Sequence, residues 1–532
     1  MKKSINYWFL LLGVLMCITG CKKTEPEYDM VIYGGTSSGI MAAVQASKMG
    51  KKVIVIEPGN RIGGLTSGGL GDTDHGKIST IGGLAWDFYE RVGKKYGQQE
   101  PVWQFEPKVA LEVYNDLVKE HQIEVVYNER LDLRNGVIKE GNKIVSVRME
   151  SGKMYSGKIF MDTSYEGDLM AKAGISYFVG REGNDMYGET NNGIRPENEN
   201  ELPAGIDPYI KPGDPDSGLL PRVNRDPGGK PGDGDKKIQA YCYRMCLTDS
   251  TENRIMIEKP EGYNESDYEL LFRALEKGMP KERCFKLHSV RNRKTDSNNH
   301  SGISCDYNGG NHAYAEADYE TREKIKKAHE IYQKGYVWTV QNHPRIPQEV
   351  KDYYGAWGLP KDEFIENNHW TPQLYIRESR RMISDYIVTE HVVKLNEKVA
   401  DPIGLGSYAI DSHHTQYCLD KDGYVRTEGG FYNPLKQPYP ISYKVILPKR
   451  EECENLLVPI CVSATHAAYG SIRMEPVFMI LGQSAATAAS LCIDNGWAVQ
   501  ELDYALLKEI MVREGQILEN PDNESYKVNA FE

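Results

Sequence analysis

Tyr28-Asp-Met-Val-Ile-Tyr33, then Gly34-Gly-Thr-Ser-Ser-Gly39, then a helical run from Ile40 to about Gly50, then Val53-Ile-Val-Ile-Glu57: this stretch decides the fold. The two apolar runs are short and branched, as expected of strands buried in a parallel sheet. Between them lie a glycine-rich turn and a helix, and an acid follows Gly39 by 18 residues. Strand, turn, helix, strand and acid in that order form the context of a dinucleotide fingerprint. Gly34 permits the tight turn and Gly39 the close packing of helix on strand. Gly35 and Ser38 complete the loop, whose free N–H groups and helix dipole suit a pyrophosphate. Glu57 is placed to accept hydrogen bonds from ribose hydroxyls. One position departs from G-x-G-x-x-G. Its middle glycine is Thr36, whose β-carbon crowds a phosphate while its hydroxyl offers a hydrogen bond instead.

Further along, Arg61-Ile-Gly-Gly-Leu-Thr-Ser-Gly-Gly-Leu70 is a second glycine-rich stretch, with Gly63 and Gly64 letting backbone approach a flat ring. Phe160-Met-Asp-Thr-Ser-Tyr-Glu-Gly-Asp-Leu169 closes a strand in small and acidic residues. Residues 28–180 alternate strands and helices, an α/β pattern. Residues 182–235 are irregular, holding eight prolines between Pro196 and Pro231. Lys237–Thr248 and Asn455–Val462 read as strands, and Asp318–Lys334 and Tyr375–Val393 as helices. Pro476–Asn495 reads as a helix with Pro in its first turn and Gly496 beyond its end. Its Gly482-Gln-Ser-Ala-Ala-Thr-Ala-Ala489 face suits close packing on a sheet or a flat group.

The chain has 532 residues, a formal charge of −12, and 40% hydrophobic against 26% charged residues. That is a globular composition with ample core. The acidic balance excludes a general nucleic-acid binder, which needs a basic face. Lys2 and Lys3 precede an apolar run from Trp8 to Gly20, too short to span a bilayer but suited to a signal sequence. The run ends Ile18-Thr-Gly-Cys21, similar to the lipobox of bacterial lipoproteins. Residues 1–20 are therefore expected to be a signal peptide, Cys21 the lipidation site, and 21–27 a tether holding the chain to the periplasmic or cell-surface side of a membrane. Eight further cysteines leave 105 disulfide connectivities open. No C-x-x-C is present, so neither a thioredoxin-like motif nor an iron–sulfur ligand run is visible.

Several motifs carry a family likeness: YGGTSSGIMAA, the R-I-G-G-L-T-S-G-G-L stretch, D-T-S-Y-E-G-D-L, QAYCYR, KTDSNN, YIRESRRM and SIRMEPVFMILGQSAATAA. In these the chain resembles FAD-dependent oxidoreductases of the glutathione-reductase-like fold, and more narrowly exported bacterial members, some labelled as polysaccharide lyases. The resemblance covers most of 28–515. It implies FAD as cofactor, touched by Gly34, Gly35, Gly39, Glu57, Arg61, Gly63 and Gly64, with Asp162 near the ribose–phosphate. It also implies that the helix from Pro476 aims its N-terminus at the flavin pyrimidine ring, where positive potential stabilises the reduced anion. A more distant similarity, to the flavin subunit of heterodisulfide reductases, lacks that family's cluster-binding cysteine segments here. The implied architecture is α/β. A Rossmann-like FAD-binding domain, discontinuous in sequence (28–180 and 440–515), carries an inserted α+β substrate domain (181–439), and 516–532 forms a tail.

A flavin supplies the hydride chemistry, leaving the protein to position a small-molecule substrate and move a proton. His466, beside the flavin-facing helix, is a candidate general base. Arg473 is a candidate partner for reduced flavin or an acidic substrate, and Arg377 and Arg380 are candidates for a carboxylate or polyol clamp. The alternative for those last two is a helix surface on which Arg381 and Asp385 pair at (i, i+4). Asp411-Ser-His-His414 offers metal-ligand types, but adjacent histidines rarely converge, so no metal is expected. The expected activity is oxidation or reduction of a small polar substrate, which the family resemblance and export, rather than any residue, imply to be carbohydrate-derived; no motif identifies the electron acceptor. The rivals are a carbohydrate lyase and a glycan-binding lipoprotein. Cys21→Ser is expected to abolish lipid modification and release the protein from membranes, read by membrane fractionation and detergent partitioning.

Overall fold

The computed structural model describes residues 27–196 and 202–521, so the signal sequence, Cys21, most of the tether and much of the tail lie outside the described residues. Strand β1 (Tyr28–Tyr33) leads through the glycine turn into helix α1 (Ser37–Lys48) and strand β2 (Val53–Glu57). Helix α2 (Pro107–Glu120) and strand β3 (Glu124–Tyr127) follow. Next come the hairpin β4 (Val137–Glu140) and β5 (Lys143–Arg148), then the long strand β6 (Met154–Asp162). The sheet order is β3-β2-β1-β6-β5-β4, with β1 parallel to both β2 and β6. Near its start β6 pairs antiparallel with β5. Near its end it pairs, on the same side, parallel with β7 (Leu456–Leu457). Chain from near the C-terminus thus completes a sheet begun at residue 28. The fold is α/β with a Rossmann-like unit.

Helix α4 (Glu475–Asn495) is buried along nearly its whole length. It is apolar enough to cross a membrane by composition, yet it is a core helix packed closely on α1. The reason lies in its small residues. A β-carbon on Gly482 would stand 2.2 Å from the Ser38 carbonyl oxygen, so only glycine lets the two backbones approach. Between the two parts of the sheet unit, helix α3 (Tyr319–Asn342) spans the middle region, N-capped by Asp318, whose carboxylate accepts from Thr321 N.

Three sequence expectations need correction. Tyr375–Val393 is not a helix. It comprises strand residues Leu374–Tyr375 and Arg380–Met382 and a single turn at Glu390–Val393. Extended backbone lets consecutive arginines reach separate partners. Arg381 pairs with Glu378 and Glu182 rather than Asp385, at 2.7 and 2.5 Å. The expected strand 237–248 shrinks to Cys242–Tyr243, because its partners are separate short segments (Leu374–Tyr375, Ser297, Lys294 and Gly358) rather than one strand, and on its other edge it meets the Gln333 side-chain amide. That amide accepts from Tyr243 N at 2.5 Å and donates to Tyr243 O at 2.7 Å. The strand 455–462 stops at Leu457, just before Pro459, which has no N–H to offer a ladder. Gly482→Val, by forcing α1 and α4 apart, should destabilise the protein by about 1–3 kcal/mol. It should also reduce FAD content; the denaturant midpoint and the flavin-to-protein ratio are the measurements.

Candidate active site

Two clefts flank the segment 64–74, which runs from one into the other. The first, of about 480 Å³, opens at the carboxyl ends of β1, β2 and β6 and is closed over by the first part of α3. This is the ligand-binding edge of a doubly wound sheet. Gly34 sits at φ +106°, where a side chain would meet the Thr163–Ser164 backbone at 2.8 Å. A β-carbon on Gly39 would lie 2.0 Å from the Gly34 carbonyl oxygen. The loop is therefore wound as tightly as a polypeptide allows.

Thr36 is the N-cap of α1. Its hydroxyl accepts from Gly39 N at 3.3 Å and donates to Thr163 O at 2.8 Å. The hydrogen bond expected to go to phosphate is thus committed to the loop itself. Gly35 N donates to Glu57 Oε2 at 2.7 Å, and Gly59 N to Oε1 at 2.6 Å. Burial outweighs these two donors and pushes the Glu57 carboxyl up to about 7. Gly63 N donates to Gly35 O at 2.7 Å, linking the two glycine stretches.

Gly34, Thr36, Glu57, Arg61 and Gly64 line the first cleft. Gly35, Ser38, Gly39 and Gly63 support it from behind. Asp162 is fully buried and accepts from Ser164 N, Ser164 Oγ and Met170 N, fixing the 163–170 turn. Burial raises its carboxyl to about 6. Arg61 Nε donates to Ser67 O and Nη1 to Glu366, whereas the buried Nη2 has no partner among the described residues. A buried guanidinium nitrogen without an acceptor, beside a glycine cradle at strand ends, fits an anionic dinucleotide. Tyr319 and Arg322 of α3, which also line this cleft, were not anticipated. Arg322 makes a two-pronged pair with Asp168 at 2.6 and 2.8 Å.

The second cleft, of about 450 Å³, is walled almost wholly by polar groups. Arg473 lies in its wall. Nη2 pairs with Asp411 at 2.7 Å, Nη1 donates to Tyr375 Oη at 3.2 Å, and the buried Nε has no partner among the described residues. Arg244 grips Asp296 through two bonds of 2.7 Å. Two histidines of this wall pair with carboxylates through Nδ1, His288 with Asp72 at the exposed side and His413 with the buried Asp306, which fixes His413 in the interior wall. His413 Nδ1 is 2.6 Å from Asp306 Oδ2, while Nε2 lies 4.0 Å from Asp411 Oδ2. A carboxylate can only accept, so the neutral ring carries its proton on Nδ1 and leaves the Nε2 lone pair free. Burial, with Arg377, holds the imidazole below its ordinary value despite Asp306. Although burial opposes it, Arg377 and His413 hold the Asp306 carboxyl well below the usual range.

Arg377 stands behind this pair, 3.1 Å from Asp306 Oδ1. Arg380 serves the other cleft's wall, bonding Asp168 at 2.8 Å and Glu166 O at 3.0 Å. His466 lines neither cleft. Its Nδ1 is 2.7 Å from Glu378, its Nε2 is buried without a partner among the described residues, and its ring packs edge-to-face with Phe431, which does line the second cleft. The sequence signals that marked this wall were KTDSNN, holding Asp296, and the D-S-H-H run read only for metal ligation. At the first turn of α4, Glu475 accepts from Thr66 Oγ1 and Tyr165 Oη, both at 2.8 Å, an acid the helix-dipole expectation did not include.

The model of the family described as FAD dependent oxidoreductase matches residues 29–511. Comparison with curated proteins gives no significant match. Similar solved structures include OTEMO in complex with FAD and NADP, at 16% identity over 26% of each chain with TM-score 0.20. The flavin-dependent brominase Bmp2 matches at 18% identity over 29% of this chain and 42% of that one, TM-score 0.24. L-proline dehydrogenase from P. horikoshii matches at 16% over 29% and 58%, TM-score 0.23. The chain spans less than two thirds of the length of each. Glu57→Ala should weaken FAD binding by about 1–3 kcal/mol through lost hydrogen bonds to the ribose. A carboxylate accepts from hydroxyls best when ionised, so wild-type FAD affinity should fall as the pH drops through about 7. That dependence should vanish in the variant, as read by titration of apoprotein with FAD.

Proposed function

Since the chain belongs to the FAD-dependent oxidoreductase family, we propose that it oxidises or reduces a small polar, carbohydrate-derived substrate held in the second cleft. We also propose that lipid on Cys21 tethers it to the periplasmic or cell-surface side of a bacterial membrane. The observation that carries the reading is His413, fixed by buried Asp306 and presenting Nε2 to a polar cleft. Bound FAD supplies hydride acceptance or return. The residues to hold it are Gly34, Glu57, Arg61 and Gly64, with the remainder of the glycine loop behind them.

The protein's own work is proton handling and orientation. In the oxidative direction His413 Nε2 takes the hydroxyl proton, and the charge that develops on the ring is balanced by Asp306. Arg377 keeps Asp306 ionised and in place, and so acts as a positioning residue. Arg473 supplies fixed positive charge at the cleft wall and orients substrate oxygens, together with Tyr375 and Asp411. Alternating carboxylates, guanidinium groups and phenols suit a polyol, which needs donors and acceptors in similar number. The lyase and binding-module readings gain no support from the family match.

His413→Ala should slow substrate-dependent flavin reduction by about 10²–10⁴-fold with FAD content unchanged. In the wild type the rate should decline as the pH falls below the ordinary imidazole value of about 6.5. Anaerobic stopped-flow with a panel of sugar alcohols and aldoses makes the measurement. His466→Ala is the comparison: a loss confined to that variant would move the base from His413 to His466. Arg473→Ala should lower the flavin reduction potential.

A further inference from the structure

The chemistry above leaves unused a pair of sulfurs behind the second cleft. Cys242 Sγ, Cys305 Sγ and the Asp306 carboxylate lie within 4.8 Å of one another. Both cysteines are fully buried. Arg377 Nη2 donates to Cys242 Sγ at 3.3 Å, and that thiol donates to Asn298 Oδ1 at 3.6 Å. Asn298 itself lines the second cleft, so a single side chain separates Cys242 from space that small solutes reach.

A cation could be asked to fill such a cluster. Arg377 argues against it: the guanidinium already lies 3.1 Å from Asp306 Oδ1 and 3.3 Å from the sulfur, supplying the positive charge a metal would bring. What remains is the chemistry of the two sulfurs. A guanidinium N–H is directed at one of them. That distinguishes Cys242, which receives the Arg377 N–H, from Cys305, whose thiol burial pushes up.

We propose that Cys242 and Cys305 form a peroxide-sensitive dithiol pair, Cys242 attacking and Cys305 resolving. Cys242 Sγ attacks hydrogen peroxide and the O–O bond breaks. The sulfur becomes a sulfenic acid, and the departing oxygen leaves as water with the thiol proton. Cys305 Sγ then displaces the sulfenic oxygen. The S–S bond forms, the S–O bond breaks, and a second water carries off the Cys305 proton. Two thiols are oxidised by two electrons and one peroxide is reduced to two waters. A disulfide of about 2.05 Å draws the sulfurs together, taking Cys242 away from Arg377, the residue that also holds Asp306 for His413.

The test uses the FAD-loaded protein and hydrogen peroxide, and needs no substrate, so it stands or falls separately from the proposed activity. After treatment the protein is denatured, free thiols are blocked with N-ethylmaleimide, and non-reduced peptides are mapped by mass spectrometry. The expected result is one linked pair, Cys242 to Cys305, which dithiothreitol reverses, with the other cysteines alkylated. In Cys305→Ser, dimedone should label Cys242; in Cys242→Ser, it should leave Cys305 unlabelled. Wild-type protein with both cysteines alkylated after peroxide, or linked to other cysteines, overturns the pair. Dimedone on Cys305 in Cys242→Ser overturns the assigned roles. The wild-type map decides the first point even if a variant fails to fold.

Discussion

The closest constraint in the molecule is the approach of two backbones where α1 begins. Gly39 lies against the Gly34 carbonyl and Gly482 against that of Ser38, each where one added carbon would overlap an oxygen. Much of the rest follows. Because α4 must seat on α1, the residues just before α4 are carried to the edge of the cofactor loop, and Arg473 arrives in the wall of the second cleft. The same seating brings Leu456–Leu457 alongside β6, so the sheet is completed by chain from near the other end. A contact governed by steric exclusion alone thereby sets where charged groups can meet.

Those charged groups then form a layered arrangement rather than a scatter of surface pairs. Arg377, Asp306 and His413 run from the interior to the cleft, while Arg473 and Asp411 meet them from the opposite side. Taking such groups out of water costs several kcal/mol for each ion unless partners compensate. Here the buried Arg181, Arg244, Lys294, Arg322, Arg377 and Arg381 each have a carboxylate within hydrogen-bonding distance, whereas Glu57, Asp162 and Glu475 are held by backbone, hydroxyl and phenol donors. Guanidinium nitrogens of Arg61, Arg195, Arg222, Arg377 and Arg473 are buried without a partner among the described residues, and of these Arg61 and Arg473 line clefts, where a ligand can complete the set.

How far the sequence revealed this depended on the range of the interactions. The β1–α1–β2 unit and α4 were legible because short-range pattern decides them: apolar runs, glycine punctuation, a capping residue and a Pro/Gly pair at the helix ends. Tyr375–Val393 was misread because its apolar and charged residues suit a helix locally, whereas its conformation is settled by Glu182, Asp306 and Asp168, partners remote in sequence. The glycine loop was readable for the same reason as the fold. Even there Thr36 differed, since its hydroxyl caps the helix it starts. The second cleft was only partly readable, because its wall is gathered from segments around 72, 244, 296, 375, 411 and 473, and no local spacing announces that assembly. His413 and Asp306 met only through the tertiary structure.

The closure of the first cleft by α3 has a consequence for biogenesis. Tyr319 and Arg322, in that cleft's wall, emerge during synthesis long after the glycine loop, and the strand that completes the sheet later still. Contacts between such remote segments make loop closure the slow part of folding. An amino-terminal fragment therefore holds a recognisable fingerprint but an open pocket, and the finished nucleotide cradle is a product of the whole chain. Completion of the first cleft is thus a late event, since its wall joins residues 33–68 to residues 314–373.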